Sequence, residues 1–388
     1  MSQSALLALE DGSLFHGISV GAPVRRCGEA VFNTAMTGYE EILSDPSYSG
    51  QLVCLTAAHI GNTGMTLADL ESAGSHCAGL IIRNLSLHSS SWRSRLELPT
   101  WLEQAGLPAI AGVDTRRLTR LLSSHGSQRA CLVCDGNLDP ARAVDEARRS
   151  PSMEGLNLAS AAGTPLALQW STGSGSPQGT ASTSDGGGLR VVVLDLGAKQ
   201  HMLRRLVDRG CSLVVVPPST PADTILALEP DGVLLSNGPG DPAACHQEIA
   251  TVRQLLDLRL PLFGICLGHQ LLALAAGART RKLAFGHHGA NHPVRDEATG
   301  EVWITSQNHG FCVDEEGLPD TLQVTQRSLF DGSIQGIRCT SQPAFGFQGH
   351  PEACPGPRDA DRLFDRFVVA MSEFRRARHG QSTAQGRA

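Results

Sequence analysis

One stretch of the chain decides the fold: Pro261-Leu-Phe-Gly-Ile-Cys-Leu-Gly-His-Gln-Leu-Leu-Ala-Leu-Ala-Ala-Gly277. Its short apolar start predicts a buried strand over residues 261–265. The residues from 267 to 276 have the pattern of a helix, which Gly277 is placed to end. Cys266 lies on the turn between them, and Gly264 and Gly268 remove the side chains that would clash in a sharp strand-to-helix turn.

The position of Cys266 suits a nucleophile. The dipole of the following helix can stabilise a thiolate, and its first free N–H groups can face a developing oxyanion. This is the arrangement of a nucleophile elbow with Cys in place of Ser. A single free cysteine is more often a small buried hydrophobic residue, but the paired glycines at a strand–helix junction favour the nucleophile.

Composition excludes several classes of function. The chain has 388 residues, of which 41% are hydrophobic and 18% charged, as in a globular protein with room for two domains. A net charge of −6 without a strong basic run gives no indication of nucleic-acid binding or of attraction to a membrane surface. The sequence has no signal-peptide pattern and no apolar stretch long enough for a membrane span. The 11 cysteines, an odd number, predict reduced thiols and a cytoplasmic protein.

A change in composition marks the domain boundary. Residues 171–188 hold six Gly, five Ser and three Thr, and cannot bury enough apolar area to become ordered. We therefore predict a first domain over 1–170, a linker over 171–188, a second domain over 189–378 and a flexible tail over 379–388.

The fold class is predicted to be α/β, with a mixed α/β domain followed by a domain built on a mostly parallel sheet. The second half alternates strands and helices, which is typical of a parallel sheet with helices on both faces. In such a sheet the ligand lies beyond the carboxyl ends of the strands, where Cys266 is placed. The predicted strands are a hairpin over 5–20, then 51–56, 79–83, 190–195, 211–216 and 231–236, with short strands near residues 303, 322, 334 and 345. The predicted helices are 96–104, 116–122, 141–147, 199–209, 224–228, 246–258 and 359–374.

A thiol nucleophile needs a base and a group that orients the base. The best candidates lie in Phe345-Gly-Phe-Gln-Gly-His-Pro-Glu352, where a short strand ends just before His350. Glu352 could accept from one imidazole nitrogen while the other faces Cys266, if this strand lies beside the elbow strand. Alone, His-Pro-Glu is more often a surface turn; with the elbow, it predicts Cys266 as nucleophile, His350 as base and then acid, and Glu352 as orienting residue.

A glycine-rich turn, Ser236-Asn-Gly-Pro-Gly-Asp-Pro242, follows the strand before the elbow strand. Glycine would leave the main chain bare beside the nucleophile, so the N–H groups of Gly238 and Leu267 could form an oxyanion hole. The alternative is a plain tight turn, since Gly-Pro-Gly turns are common.

The second half resembles the class I (triad) glutamine amidotransferases in three motifs: Gly264-Ile-Cys-Leu-Gly-His-Gln270, Asn237-Gly-Pro-Gly-Asp241 and Gly349-His-Pro-Glu352. The resemblance implies a class I amidotransferase domain over 189–378. Such a domain hydrolyses the side-chain amide of glutamine through a γ-glutamyl thioester, here on Cys266, and releases ammonia.

The first half is similar to the N-terminal domain of the small subunit of carbamoyl-phosphate synthase, in segments 32–49, 58–62 and 114–120. The similarity continues through 195–199, 285–289, 307–311 and 328–332, and so covers nearly the whole chain except the linker. It implies that the first domain meets a large subunit in a heterodimer, with higher oligomers left open, and that the products serve arginine and pyrimidine biosynthesis. It also implies that this chain needs no cofactor or metal, since ATP, Mg and bicarbonate are used by the large subunit. The glutamine-binding residues that it implies are Ser47, Gly238, Gly240, Leu267, Gln270, Asn308, Gly310 and Phe311.

Three other functions stay open: the glutaminase subunit of another synthase, a free-standing γ-glutamyl cysteine hydrolase, and a regulatory subunit with a relict site. The first domain argues against the first two.

Several further signals are interpreted as structural. Cys131-Leu-Val-Cys134 has the spacing of a metal or redox site, but the apolar pair between the cysteines and the lack of a second such motif favour a strand. We expect no zinc site from His287, His288 and His292, which lack a nearby acidic or thiol ligand. His269 is expected to be structural, and His309 to lie in a turn near the ligand.

Overall fold

The computed structural model describes residues 3–175 and 188–385 of the chain. The chain divides into two compact units, the first formed by 1–156, 282–291 and 354–356, and the second by 157–281, 292–353 and 357–388. The structure therefore groups residues 157–170 with the second unit, whereas the change in composition predicts that they belong to the first domain. Residues 176–187 of the predicted linker and 386–388 of the predicted tail lie outside the described residues.

The first unit consists of the following elements in chain order: β1 (Ser4–Leu9), β2 (Leu14–Ser19), β3 (Arg25–Asn33), α1 (Tyr39–Ser44), β4 (Gln51–Leu55), β5 (His59–Ile60), β6 (Gly79–Ile81), β7 (Asn84–Leu85), α2 (Leu98–Gln104), β8 (Ala109–Ala111), α3 (Thr115–His125), β9 (Gln128–Val133) and α4 (Pro140–Arg149). The predicted hairpin is confirmed, since β1 pairs with β2 in antiparallel register. Strand β3 is not among the predicted strands, because arginines and a glycine interrupt its apolar residues.

The strands of the first unit form a closed barrel in the order β1-β2-β8-β6-β4-β3-β9. The pairs β3–β4, β4–β6 and β6–β8 are parallel. The other pairs of the barrel are antiparallel. Neighbouring residues of a strand point to opposite faces: Leu6 and Ala8 of β1 pack with Ala143 of α4, while Leu7 and Leu9 pack with the cluster that includes α3.

The second unit consists of α5 (Ala159–Ala162), β10 (Leu168–Trp170), β11 (Arg190–Leu194), α6 (Gln200–Val207), β12 (Ser212–Val216), α7 (Ala222–Ala227), β13 (Gly232–Leu235), α8 (His246–Asp257), β14 (Leu262–Ile265), α9 (Leu267–Ala275), β15 (Thr280–Asp296), β16 (Val302–Val313), β17 (Leu322–Ser328), β18 (Ile334–Cys339), β19 (Ala344–Phe347) and α10 (Arg362–Gln385). Residues 282–291 of β15 belong to the first unit. Because β10 pairs with β12, the segment before the linker belongs to the second unit. Helix α10 continues to Gln385, beyond the start of the predicted tail at residue 379.

The sheet of the second unit has the strand order β10-β12-β11-β13-β14-β19-β18-β17-β15-β16. Strands β12, β11, β13, β14 and β19 are parallel, as predicted, and β18, β17 and β15 continue the sheet in antiparallel pairs. Val192 and Leu194 of β11 pack with α8 and α9, while Val191 and Val193 pack with α6 and α10. Helices thus cover both faces, and the predicted α/β class is confirmed.

Among the described residues, no helix combines the length and the apolar character that crossing a membrane requires.

Candidate active site

The turn at Cys266 has the strained backbone of a nucleophile elbow. Cys266 lies between β14 and α9 with φ 54° and ψ −106°, a conformation that L-residues rarely adopt and that costs about 1–3 kcal/mol. The two flanking glycines are required sterically. A Cβ atom at Gly264 would lie 2.4 Å from the carbonyl oxygen of Gly268, and one at Gly268 would lie 2.1 Å from that of Leu235. The sharp turn predicted from the sequence is present.

The thiol of Cys266 is buried and has polar neighbours. The residue is 3% exposed, and its N–H donates to the carbonyl oxygen of Phe347 over 2.9 Å. Its Sγ atom lies 3.6 Å from the carbonyl oxygen of Asn308 and 3.8 Å from the side-chain Nε2 of Gln348. The nucleophile is therefore fixed by a donor and an acceptor in addition to the turn.

The predicted base and its orienting carboxylate form a buried pair. Nδ1 of His350 lies 2.7 Å from Oε1 of Glu352, and Nζ of Lys199 lies 3.1 Å from the same oxygen. Burial and the charge of Lys199 lower the pKa of His350. The neighbouring carboxylate of Glu352, helped by the Cys266 thiol, outweighs both and raises the pKa to about 10. Burial raises the pKa of Glu352, but the charges of Lys199 and His350 outweigh it and hold the pKa well below its usual range.

Strand pairing explains why His350 is close to Cys266. Strands β14 and β19 are parallel neighbours, with Ile265 opposite Phe347. Both therefore end at the same edge of the sheet, and Cys266 and His350 follow those ends. The N–H of His350 donates to the carbonyl oxygen of Ser306 over 2.9 Å, which fixes the start of the His-Pro-Glu turn.

The glycine-rich turn after β13 also lies at the elbow. A Cβ atom at Gly238 would lie 2.2 Å from the carbonyl oxygen of Leu196 and 2.9 Å from a side-chain carbon of Leu267, so only glycine fits. Gly240 has a φ of 98°, which also favours glycine. In residues 3–175 and 188–385, no hydrogen bond uses the backbone N–H of Gly238 or of Leu267. Both groups are donors of the kind that an oxyanion hole needs.

The expected glutamine-binding residues of the second unit lie around the elbow. Nε2 of Gln270 donates to the carbonyl oxygen of Phe311 over 2.7 Å and to Oε1 of Gln348 over 3.0 Å. Both amide hydrogens of Gln270 are therefore used by the protein, which leaves its oxygen for a ligand. Ser47 lies in the first unit, in a 3₁₀ turn over Pro46–Tyr48 whose N-cap Asp45 accepts from its N–H, and its part in the site stays a prediction.

The predicted turn around residues 308–311 is wrong. Asn308, Gly310 and Phe311 lie within strand β16, as does His309, whose Nδ1 is 2.7 Å from the carbonyl oxygen of Phe311. The polar and glycine-rich composition suggested a turn, but β16 is a long strand of the sheet in which these residues are mostly buried. Their backbone reaches the elbow, since the carbonyl oxygen of Asn308 lies near Sγ of Cys266 and that of Phe311 accepts from Gln270.

Two residues of the site were not assigned a role from the sequence. Lys199 follows β11 and is buried against Glu352, and Gln348 is fully buried between Gln270 and Cys266. The sequence signal for Gln348 was its place between an apolar strand and His350. The signal for Lys199 was a lysine close after a buried strand end.

Two sets of histidines were interpreted as structural. His269 is fully buried on α9, and burial lowers its pKa to about 3, so it is neutral and unsuited to act as a base. Among the described residues, the clusters of side chains that could hold a metal ion do not include His287, His288 or His292.

Comparisons with known proteins match both halves of the chain. Residues 192–370 match the family model of the class-I glutamine amidotransferases. Residues 7–132 match the model of the carbamoyl-phosphate synthase small chain, CPSase domain.

Three curated relatives carry the description carbamoyl phosphate synthase small chain. The protein of Thioalkalivibrio sulfidiphilus is 56% identical over 370 residues, covering 95% of this chain and 97% of the relative. That of Vibrio cholerae is 53% identical over 378 residues, covering 97% of this chain and 100% of the relative. That of Vibrio vulnificus is 55% identical over 376 residues, covering 96% and 99%.

Proposed function

The chain belongs to the carbamoyl phosphate synthase small-chain family, and from this premise we propose that it hydrolyses glutamine at Cys266 and supplies ammonia to a large subunit. The observation that carries the proposal is the placement of Cys266, on a strained elbow, beside the buried pair of His350 and Glu352. A buried histidine with an orienting carboxylate beside a cysteine at a helix N-terminus is the arrangement of an acyl-transfer site.

Before the first step, the proton of the Cys266 thiol resides on His350, whose raised pKa favours the imidazolium, and the thiolate sulfur attacks the side-chain amide carbon of glutamine. The C–S bond forms while the carbonyl π bond opens, so negative charge develops on the oxygen. The backbone N–H groups of Gly238 and Leu267 would bind this oxyanion. Removing one donor of such a site typically costs about 2.7–4 kcal/mol of transition-state stabilisation.

In the second step, the tetrahedral intermediate collapses and the C–N bond breaks. The imidazolium of His350 gives its proton to the leaving nitrogen, which departs as ammonia and leaves a γ-glutamyl thioester on Cys266. A water molecule, deprotonated by His350, then attacks the thioester, and glutamate leaves as the C–S bond breaks. Glu352 and Lys199 hold the imidazole in one orientation throughout.

The oxygen of the Gln270 side chain and the backbone of β16 would bind the α-amino and α-carboxylate groups of glutamine. Gly240, Asn308, Gly310 and Phe311 complete the proposed set.

The partner in this proposal is a separate large subunit, which would use ATP, Mg and bicarbonate to convert the ammonia into carbamoyl phosphate for arginine and pyrimidine biosynthesis. Higher oligomers of the heterodimer stay a prediction. A cytoplasmic location is also proposed. It is supported by the cysteines, none of which forms a disulfide in the part of the chain that the structure describes.

The test measures glutamate release from glutamine by the purified chain, with and without a carbamoyl-phosphate synthase large subunit, ATP and bicarbonate. We expect weak activity alone and a strong rise with the partner. Rapid hydrolysis at the same rate with and without the large subunit would indicate a free-standing γ-glutamyl hydrolase and contradict the proposal.

The Cys266→Ser variant in the complex should lose synthesis from glutamine and keep synthesis from free ammonia. The matched control is Cys134→Ser, which changes another buried cysteine in the first unit and should keep both activities. Full glutamine-dependent turnover in Cys266→Ser would refute the assignment of the nucleophile.

A further inference from the structure

We propose that Cys27 and Cys131 of the first unit form a reversible thiol–disulfide site, which a peroxide oxidises and a thiol reductant restores. The two residues lie directly opposite each other on the antiparallel strands β3 and β9. Opposite residues of such a pair have Cα atoms about 4.5–5.5 Å apart, and disulfides join Cα atoms about 4.4–6.8 Å apart. The backbone therefore has the spacing that a disulfide needs.

The side chains of the two cysteines also face each other. Their Sγ atoms and a carboxylate oxygen of Glu146 all lie within 4.8 Å of one another. Cys134, three residues further along the chain, packs in a different cluster from Cys131, because residues three apart on a strand point to opposite faces. The partner of Cys131 is thus Cys27, and not Cys134 as the spacing of the two cysteines in the sequence suggested.

Cys27 has the surroundings of a reactive thiol. It is half-buried, whereas Cys131 is fully buried. The neighbouring Cys131 thiol lowers the pKa of Cys27; burial and the Glu146 charge act against this, and the Arg25 guanidinium supports it. A partly exposed thiol with a lowered pKa beside an arginine is the type that peroxides oxidise.

Cys131 is placed to close the disulfide. Its Sγ atom donates to Oε2 of Glu146 over 3.5 Å, so a base for its proton is at hand. Glu146 lies on α4 and is fixed by Arg25 at 2.9 Å and by Arg142 at 2.8 Å. Oxidation would break the bond between Cys131 and Glu146 and so loosen one contact between α4 and the barrel.

The chemistry needs one molecule of hydrogen peroxide as oxidant. The Cys27 thiolate attacks a peroxide oxygen, the S–O bond forms, the O–O bond breaks and hydroxide leaves. The Cys131 sulfur then attacks the sulfenic sulfur of Cys27, the S–S bond forms and the S–O bond breaks. The Cys131 proton passes through Glu146 to the departing hydroxide. The proton that Cys27 released on ionisation neutralises the first hydroxide, so two thiols and one peroxide give one disulfide and two waters.

The same three side chains could instead hold a zinc ion, since thiolates and a carboxylate are zinc ligands. Glu146 already binds two arginine side chains, which repel a cation, and we therefore favour the disulfide. The inference does not depend on glutamine hydrolysis.

The test uses the full chain with Cys266→Ser, so that the proposed nucleophile does not compete for the oxidant. The protein is treated with equimolar hydrogen peroxide, alkylated, digested with trypsin and analysed by mass spectrometry. We expect the peptide over 27–83 linked to the peptide over 130–142, lighter than their sum by two hydrogen atoms. Dithiothreitol should remove the link.

The matched controls separate the cysteines that share these peptides. Cys27→Ser and Cys131→Ser should each abolish the link, while Cys134→Ser should keep it. Circular dichroism and the thermal midpoint of each reduced variant would show that it is folded.

Three results would overturn the proposal. The first is the absence of a link in a folded protein, and the second is a link that requires Cys134 in place of Cys131. The third is one bound zinc ion per chain, measured on the reduced protein incubated with zinc alone and lost in Cys27→Ser and in Cys131→Ser.

Discussion

The buried charges beside His350 allow a quantitative prediction about Glu352. Lys199 and Glu352 form an ion pair at 3.1 Å with side chains 3% and 0% exposed. Glu352→Gln keeps the size of the side chain but leaves the ammonium buried without its counter-charge. Removing one partner of a buried pair costs about 3–5 kcal/mol. Because 1 kcal/mol shifts the Tm of a unit of this size by about 2–4 °C, we expect the Tm to fall by roughly 6–20 °C.

The double variant Glu352→Gln/Lys199→Met removes both charges and should regain most of the lost stability, since replacing a whole buried pair by apolar groups is often neutral. Its activity should stay low, because His350 has lost the carboxylate that orients it. In a comparable triad, an acid-to-amide change at this place lowers kcat by about 10⁴. In the double variant, the Tm should therefore recover while the rate of glutamine hydrolysis stays low.

The assay combines calorimetric unfolding of the chain with glutamate release in the complex with a large subunit. Equal Tm values for the single and the double variant would refute the charge coupling. Recovery of activity in the double variant would refute the orienting role of Glu352.

Three further predictions concern residues of the second unit. Gln348→Leu removes the contacts to Gln270 and Cys266, and should lower kcat/KM for glutamine roughly 5–150-fold, as expected for about 1–3 kcal/mol; an unchanged value in steady-state assays would contradict it. Gly268→Ala should lower the Tm, because its Cβ would lie 2.1 Å from a backbone oxygen, whereas Gly74→Ala, with nothing within 4 Å, should not. His350→Gln should cost more stability at pH 6 than above pH 10 in urea unfolding. Because the pKa of His350 is raised to about 10, its contribution to the free energy of unfolding is complete below the unfolded pKa of about 6.5. This contribution is lost as the pH rises through the folded pKa. An equal cost at both pH values would refute this.

Local patterns made the elbow and the alternating half of the chain predictable. The glycine at 264 has a steric cause that lies within a few residues, the carbonyl oxygen of Gly268, and the apolar runs of β11 to β14 have the length of buried parallel strands. The roles of Lys199 and Gln348 were not predictable in the same way, because each depends on which strand ends lie side by side.

Closure of the barrel and the extent of β15 and β16 escaped prediction for a related reason. Whether strands form a closed barrel depends on the register between segments that lie far apart in the sequence. Amino-acid composition contains no information about that register. The glycine- and histidine-rich sequence of β15 has low strand propensity, and the pairing of that strand with its neighbours decides its structure.

The division of β15 between the two units has a consequence for recombination between related genes. Residues 282–291 follow the linker in the sequence but belong to the first unit, where the ring of Phe285 stacks on that of Phe32 with centroids 6.0 Å apart. A crossover at the linker would therefore join a first unit from one parent to this segment from the other. Chimaeras should be tolerated best where residues 1–156 and 282–291 come from the same parent. The first unit is therefore not exchanged as one continuous segment of the gene.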